Sequence, residues 1–135
     1  MPNLTLFDQL LRSAAAQPEP QRLLFVFTIA ELPDDVTPDQ RQRFAEGGGG
    51  ALTPLMCVDK GLDELSSFEA LAAESRLAGP PWQVLFAAGL PGHDGQPPSP
   101  EQIEQALQAM VERIRSGSIG GFLALDPSGG AVHFE

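Results

Sequence analysis

The sequence predicts a single α/β domain built on a mixed sheet of about five strands flanked by helices. Apolar and β-branched stretches alternate along the chain with segments whose apolar residues recur at helical spacing. The 135 residues suffice for one domain that buries roughly two-thirds of its unfolded surface, and no repeat or second core divides residues 1–135. The predicted order is α-β-α-β-α-β-α-β-β.

The first half of the chain contains two predicted helices and one buried strand. Apolar residues at helical spacing predict a helix over residues 4–16, capped by Asn3 or Thr5. The segment RLLFVFTIA at 22–30 lacks clean polar alternation, which is typical of a strand covered on both faces. A capping box with proline at the first helical position predicts a short helix over 37–46. The four glycines at 47–50 indicate a surface connector.

The middle of the chain predicts strand, helix and strand in turn. Residues 51–58 are apolar enough for a strand, but Pro54 cannot donate to a ladder, so an edge position, a bulge or a strand start nearer Leu55 is expected. A capped helix follows through Leu77, which is expected on its apolar side together with Phe68, Leu71 and Ala72. The segment WQVLFAAGL at 82–90 predicts the third strand.

The last third predicts the longest helix and a hairpin. Ser99 begins a second proline-containing capping box, and Gly117 is the expected C-terminal cap. The apolar face of this helix comprises Ile103, Ala106, Leu107, Met110, Val111 and Ile114. Residues 122–125 and 131–134 flank the turn sequence DPSGG, which predicts a C-terminal antiparallel β-hairpin.

Alternation of strand and helix favours a largely parallel sheet. An α+β arrangement with antiparallel neighbours is the alternative, because the helix over 37–46 is short for a crossover. The choice matters for function, since the loops after parallel strands meet at one sheet edge, where open α/β sheets bind ligands.

In the parallel arrangement, that edge collects the side chains with the most chemistry. They are Glu31, Asp34, Asp35, Asp59, Lys60, His93 and Asp94. Asp34, Asp35 and Asp59 would be oxygen ligands for a divalent metal ion. His93 would act as acid or base with Asp94 orienting it, and Lys60 would anchor an anion.

Other chemistry is weakly supported by the residues present. Both glycine clusters follow a predicted helix, whereas a phosphate loop precedes one, so no nucleotide or other cofactor is implied. The lone Cys57 lies in an apolar strand and is expected to be a buried, inert thiol. His133, on the last strand, is expected to be structural.

The charge balance indicates which partners to expect. There are 8 Lys and Arg against 18 Asp and Glu, a net charge of −10, and Lys60 is the only lysine. Nucleic acid and anionic membranes demand clustered basic residues, so neither is an expected partner. A protein with a basic surface is the expected partner, and the chain itself is expected to be a monomer or weak homodimer. One cysteine and no apolar membrane-length segment predict a cytoplasmic protein.

Four segments carry a resemblance to a known family. They are RLLFVFTIAELPDD, LTPLMCVDK, GPPW and GSIGGF. In these the chain resembles a family of short proteobacterial proteins of unknown function, some labelled "ribonucleotide reductase". One cysteine and no tyrosine exclude the radical chemistry that this label implies, and the family supplies no catalytic residues.

These observations predict a non-enzymatic protein-interaction or regulatory module. The alternative is a small-molecule or divalent-metal-dependent enzyme with its site at the loops of the strand carboxyl edge.

Overall fold

The computed structural model describes residues 5–31, 38 and 51–132. Four predicted features lie outside them: the helix over 37–46, the glycine connector at 47–50, the side chains of Asp34 and Asp35, and His133.

The described residues form three α-helices and four strands close to their predicted positions. The helices are α1 (Leu6–Ala15), α2 (Phe68–Ala78) and α3 (Pro100–Arg115), and the strands are β1 (Gln21–Glu31), β2 (Ala51–Gly61), β3 (Val84–Pro91) and β4 (Leu123–Leu125). Thr5, Ser67 and Ser99 cap the three helices through their hydroxyls. In this described part, no helix is long and apolar enough to cross a membrane.

The sheet corrects the predicted topology. Its order is β2-β1-β3-β4, and every neighbouring pair is antiparallel. The prediction of a largely parallel sheet is therefore wrong, and the antiparallel pairing of neighbouring strands agrees with the α+β alternative. β2 and β3 do run in the same direction, joined through α2, but β1 lies between them. Strand and helix alternate in the sequence because this is a split β-α-β unit, which needs no parallel neighbours.

The described part of the sheet has four strands rather than about five. Of the predicted C-terminal hairpin, the structure shows the turn after β4 and one antiparallel bridge between Leu125 and Ala131. Residues 133–135 lie outside the described part.

Of the alternatives for Pro54, the edge position and the bulge are both observed among the described strands, whereas a start nearer Leu55 is wrong, since β2 begins at Ala51. The register of β2 with β1 shifts between Phe27, which faces Met56, and Thr28, which faces Pro54. The extra residue on β2 is Leu55, and it forms a β-bulge. Proline is tolerated here because an edge strand needs ladder bonds on one side only.

Helices cover both faces of the sheet. Leu23, Phe25 and Phe27 of β1 point to the face covered by α1 and α2, while Leu24 and Val26 point to the face covered by α3. Both clusters contain large side chains with almost no exposed surface. Such two-sided burial explains why β1 shows no alternation of polar and apolar residues.

One prediction for α2 is wrong. Leu77 is 92% exposed rather than part of the apolar side. Ser75 takes the buried place beside Leu71 and Ala72, and its hydroxyl accepts a hydrogen bond from the Trp82 indole at 2.8 Å. The buried stripe of this helix therefore includes a polar residue whose hydrogen bonds are satisfied inside the protein.

The turn after β4 is organised by the Asp126 carboxylate. Its Oδ1 accepts hydrogen bonds from the Ser128 hydroxyl at 2.6 Å and from the backbone N–H of Ser128 and Gly130, both at 2.9 Å. Gly129 completes the turn at φ 90°, in the left-handed region that favours glycine. These bonds hold the pKa of Asp126 below its ordinary value of 3.8, the Ser128 side chain contributing most.

This turn is expected to loosen in acid. A carboxyl whose pKa is lowered by folding stabilises the turn above its ordinary value of 3.8, and the contribution is lost as pH falls through the lower, folded pKa. The amide NMR signals of Ser128 and Gly130 should therefore titrate together below that value. The variant Asp126→Asn should abolish the titration while other carboxylates still titrate, and an unchanged titration there would assign it to another group.

Candidate functional site

The antiparallel sheet separates the residues that were predicted to share one edge. β1 ends at Glu31, whereas β2 and β3 end at the opposite end of the sheet, because both run antiparallel to β1. The expected single site joining Glu31 to Asp59 and His93 is therefore wrong. Asp34 and Asp35, which follow β1, lie outside the described residues.

Asp59 and Lys60 are adjacent in sequence but lie on opposite faces of β2. Asp59 Oδ2 accepts a hydrogen bond from Arg22 Nε at 2.7 Å on the α3 face. Lys60 Nζ pairs with Glu74 Oε1 of α2 at 2.8 Å on the other face. Each side chain is occupied by an ion pair, so the two do not form a joint anion or metal site.

His93 and Asp94 form an exposed turn. Their side chains are 88% and 85% exposed, and Nε2 lies 3.3 Å from Oδ2. The backbones of His93 and Gln96 exchange hydrogen bonds around Asp94 and Gly95, which have φ values of 52° and 78°. That is the geometry of a two-residue hairpin turn. Within the described ranges, no group of three or more His, Cys, Asp or Glu could hold a metal ion.

A groove with a volume of about 730 Å³ lies between α3 and the β2 side of the sheet. Its lining residues are Arg22, Cys57, Asp59, Pro100, Ile103, Glu104, Leu107, Gln108, Val111, Glu112 and Arg115. One wall is a single stripe along the full length of α3, about 24 Å for this 16-residue helix. The floor comes from side chains of β1 and β2.

The wall is apolar at its base. Ile103, Leu107 and Val111 recur at helical spacing and are half-buried, whereas Met110 and Ile114 on the adjoining stripe are buried under the helix. All three also pack in part against the cluster on this face of the sheet, and the surface that they leave exposed lines the groove.

The prediction that Cys57 is a buried thiol is wrong. The thiol is exposed and lines the groove instead of being buried. Its neighbours Met56 and Val58 point to the other face, against the cluster under α1 and α2. Alternation along β2 therefore directs Cys57 to the α3 face, where the open groove leaves the thiol exposed.

One end of the groove is acidic. Arg22 pairs there with Asp59 at 2.7 Å and with Glu64 Oε1 at 3.0 Å, so that two carboxylates surround one guanidinium. The hydrogen bond to Asp59 is the main cause of the raised pKa of Arg22, and a backbone hydrogen bond from Gly61 is the main cause of the lowered pKa of Glu64. Glu104 of α3 also lines the groove.

The last turn of α3 contributes balanced charge to the groove. Arg115 Nη1 lies 3.4 Å from Glu112 Oε1, and both side chains are largely exposed.

The sequence contained no specific signal for this groove. The six apolar positions of α3 form a stripe of the width usual for a helix that packs on a sheet. Arg22 carried no signal, because its role depends on a strand register that brings Asp59 beside it.

Fold and groove together define a small α+β domain with helices on both sheet faces and an open groove beside an edge strand. No family model, curated protein or solved structure matches the chain. Function is therefore inferred from the residues of the groove.

Proposed function

We propose that this chain is a non-enzymatic protein-interaction module whose groove binds a short segment of a partner protein with basic and apolar residues. The observation that supports it most is the apolar stripe of Ile103, Leu107 and Val111, left half-buried beside exposed Cys57. Covering such a stripe removes apolar surface from water, which is the main driving force of association.

The charge of the groove favours a basic segment. Asp59 and Glu64 outnumber Arg22 at the acidic end, and Glu104 is a further acidic residue in the lining. The chain as a whole carries a net charge of −10, which attracts a basic partner over distance. The same charge repels a second copy, so a monomer or weak homodimer is expected.

The charged groups of the groove favour binding over catalysis. Its two arginines are already paired, Arg22 with Asp59 and Arg115 with Glu112. General acid–base chemistry needs groups that are free to exchange protons with a substrate. The paired groups instead supply charge at fixed positions, which suits orientation of a partner.

Two peptide probes test this proposal. One is the capped strand-forming heptapeptide Lys-Thr-Lys-Thr-Val-Thr-Val, and the other is a longer helix-forming peptide with the same number of lysines. At least one should bind saturably, and the variant Leu107→Gln should weaken that binding about tenfold or more, since it replaces the apolar centre of the groove without changing charge. Fluorescence anisotropy measures the affinity.

The matched control is Leu77→Gln, the same substitution on an exposed leucine of α2, which should leave the affinity unchanged. Bound probe should also slow the reaction of Cys57 with a thiol reagent, because the thiol lines the groove. Absence of saturable binding by both probes, or equal loss in the two leucine variants, would overturn the proposal. Circular dichroism confirms that each variant is folded.

A further inference from the structure

We infer that the partner segment binds in extended form, as an antiparallel strand added to the outer edge of β2. The inference rests on the proposed function and names its binding mode. β2 is the last strand on its side of the sheet, and within residues 5–31 and 51–132 no strand pairs with its outer edge. Strand addition to such an edge is a recurring mode of peptide recognition, in which backbone bonds give affinity and alternate side chains give specificity.

Two hydrogen bonds reveal which backbone groups of β1 and β2 point outward. The Thr28 carbonyl accepts from Gln83 N–H at 2.8 Å, on the β3 side. The Gly61 N–H donates to Glu64 Oε1 at 2.9 Å and so points away from β1. Successive residues of a strand direct their backbone groups to opposite sides. Even-numbered residues of β1 therefore bond toward β3, and odd-numbered residues bond toward β2.

The register transfers this alternation to β2. Val26 faces Cys57 and Leu24 faces Asp59, and both β1 residues direct their backbone groups toward β3. The N–H and C=O groups of Cys57 and Asp59 consequently point to the outer edge. An incoming strand that faces these two residues can exchange hydrogen bonds with both.

The usable stretch of edge has defined limits. At one end, Pro54 has no N–H to offer an incoming strand, and the bulge beside it disturbs the spacing. At the other end, the Gly61 N–H is already bound to Glu64. The open edge thus spans about five residues, which is a common strand length.

The side chains that alternate with these backbone groups lead into the groove. Cys57 and Asp59 both project to the α3 face, where they line the floor. Residues opposite each other in an antiparallel pair share a face. Every second residue of the added strand would therefore lie in the groove, against the apolar stripe of α3, while its backbone bonds to β2.

The charges fix which end of the segment is basic. β2 runs from the Pro54 bulge toward the acidic end, where Asp59 and Glu64 lie. An antiparallel strand begins at that end. The segment therefore has Lys or Arg in its first groove-facing positions and apolar residues in its later ones, at every second residue. A second copy of this chain does not fit, because the groove-facing side chains of its β2, Cys57 and Asp59, include no cation.

Backbone methylation tests the inference with the strand-forming heptapeptide. N-methylation of its valines and second lysine removes the N–H groups that face β2, and affinity should fall about tenfold or more with the loss of these bonds. N-methylation of the threonines removes N–H groups that face solvent, and affinity should change little. The reversed sequence Val-Thr-Val-Thr-Lys-Thr-Lys should bind several-fold more weakly, because its lysines then lie toward the Pro54 bulge, away from Asp59 and Glu64.

Equal effects of the two methylated sets, or tighter binding by the helix-forming probe, would overturn strand addition. Equal affinity of the reversed sequence would overturn the assigned direction. Both results can be distinguished from failure of the proposed function. If the proposed function fails, neither probe binds. If only strand addition or its direction is wrong, a probe still binds, it still protects Cys57, and its affinity still depends on Leu107.

Discussion

Phe25→Ala is expected to lower the free energy of unfolding by about 3–5 kcal/mol, a large part of the roughly 5–15 kcal/mol that stabilises a domain of this kind. Phe25 lies at the middle of the central strand and is 1% exposed. Its ring centroid is 6.2 Å from that of Phe7 in α1, which in turn lies 5.8 Å from Phe68 in α2. Truncation therefore opens a cavity where two helices and the sheet meet.

The residues around Phe25 cannot readily move into that cavity. Its cross-strand neighbours are Val58 of β2 and Ala87 of β3, and both are held in position by the ladders. Urea denaturation followed by circular dichroism measures the loss, with Leu77→Ala as the exposed control, expected to change stability little. Phe25→Leu retains most of the volume and should cost less. A loss below about 1 kcal/mol for Phe25→Ala would show that Phe25 is not central to the core.

Local signals located the elements of this fold well. The cap at Asn3 or Thr5 and the capping box at Ser99 placed the starts of α1 and α3 within a residue or two, because side-chain capping depends only on residues close in sequence. The unbroken apolar run of β1 indicated a strand covered on both faces, and this was also confirmed. Pro54 marked the edge strand and the bulge.

The pairing of the strands could not be predicted in the same way. Sequence alternation of strand and helix fits neighbouring parallel strands and a split β-α-β unit equally well. The difference depends on whether β1 inserts between β2 and β3, and that depends on contacts between residues distant in the chain. The predicted edge site failed for this reason alone, since it assumed that the loops after β1 and β2 emerge together.

Sequence periodicity did not predict the groove, for a related reason. Periodicity shows that Leu107 and Met110 both lie on the apolar side of α3, but not which of them the sheet covers. That depends on where the helix axis lies above the strands. The same holds for Cys57, whose apolar neighbours in the sequence do not indicate that its side chain lies in the groove.

Ser75 shows how a buried stripe can include a polar residue that pattern reasoning overlooks. The hydroxyl is 4% exposed; it accepts from Trp82 Nε1 at 2.8 Å and donates to the Ala72 carbonyl at 2.6 Å. The indole ring in turn packs on Phe27 at 5.2 Å between centroids. This pair of hydrogen bonds ties the end of α2 to the segment that enters β3.

Ser75→Ala is expected to destabilise the protein by about 1–3 kcal/mol. The methyl group fits the space, so the cost does not come from a cavity. It comes from the Trp82 N–H, which loses its acceptor in a site where the ring is 7% exposed. Urea denaturation measures the change, and Ser66→Ala, an exposed serine just before the capped start of α2, should change stability by a few tenths of a kcal/mol at most.

A double-mutant cycle separates the hydrogen bond from the packing. Trp82→Phe removes the N–H and leaves an aromatic ring against Phe27, at a cost of its own for the lost volume. In that background Ser75→Ala no longer orphans a donor, so its cost should fall to well below 1 kcal/mol. Additive effects of the two substitutions would show that the Ser75 hydroxyl stabilises α2 through the Ala72 carbonyl alone, and that the indole bond contributes nothing to the fold.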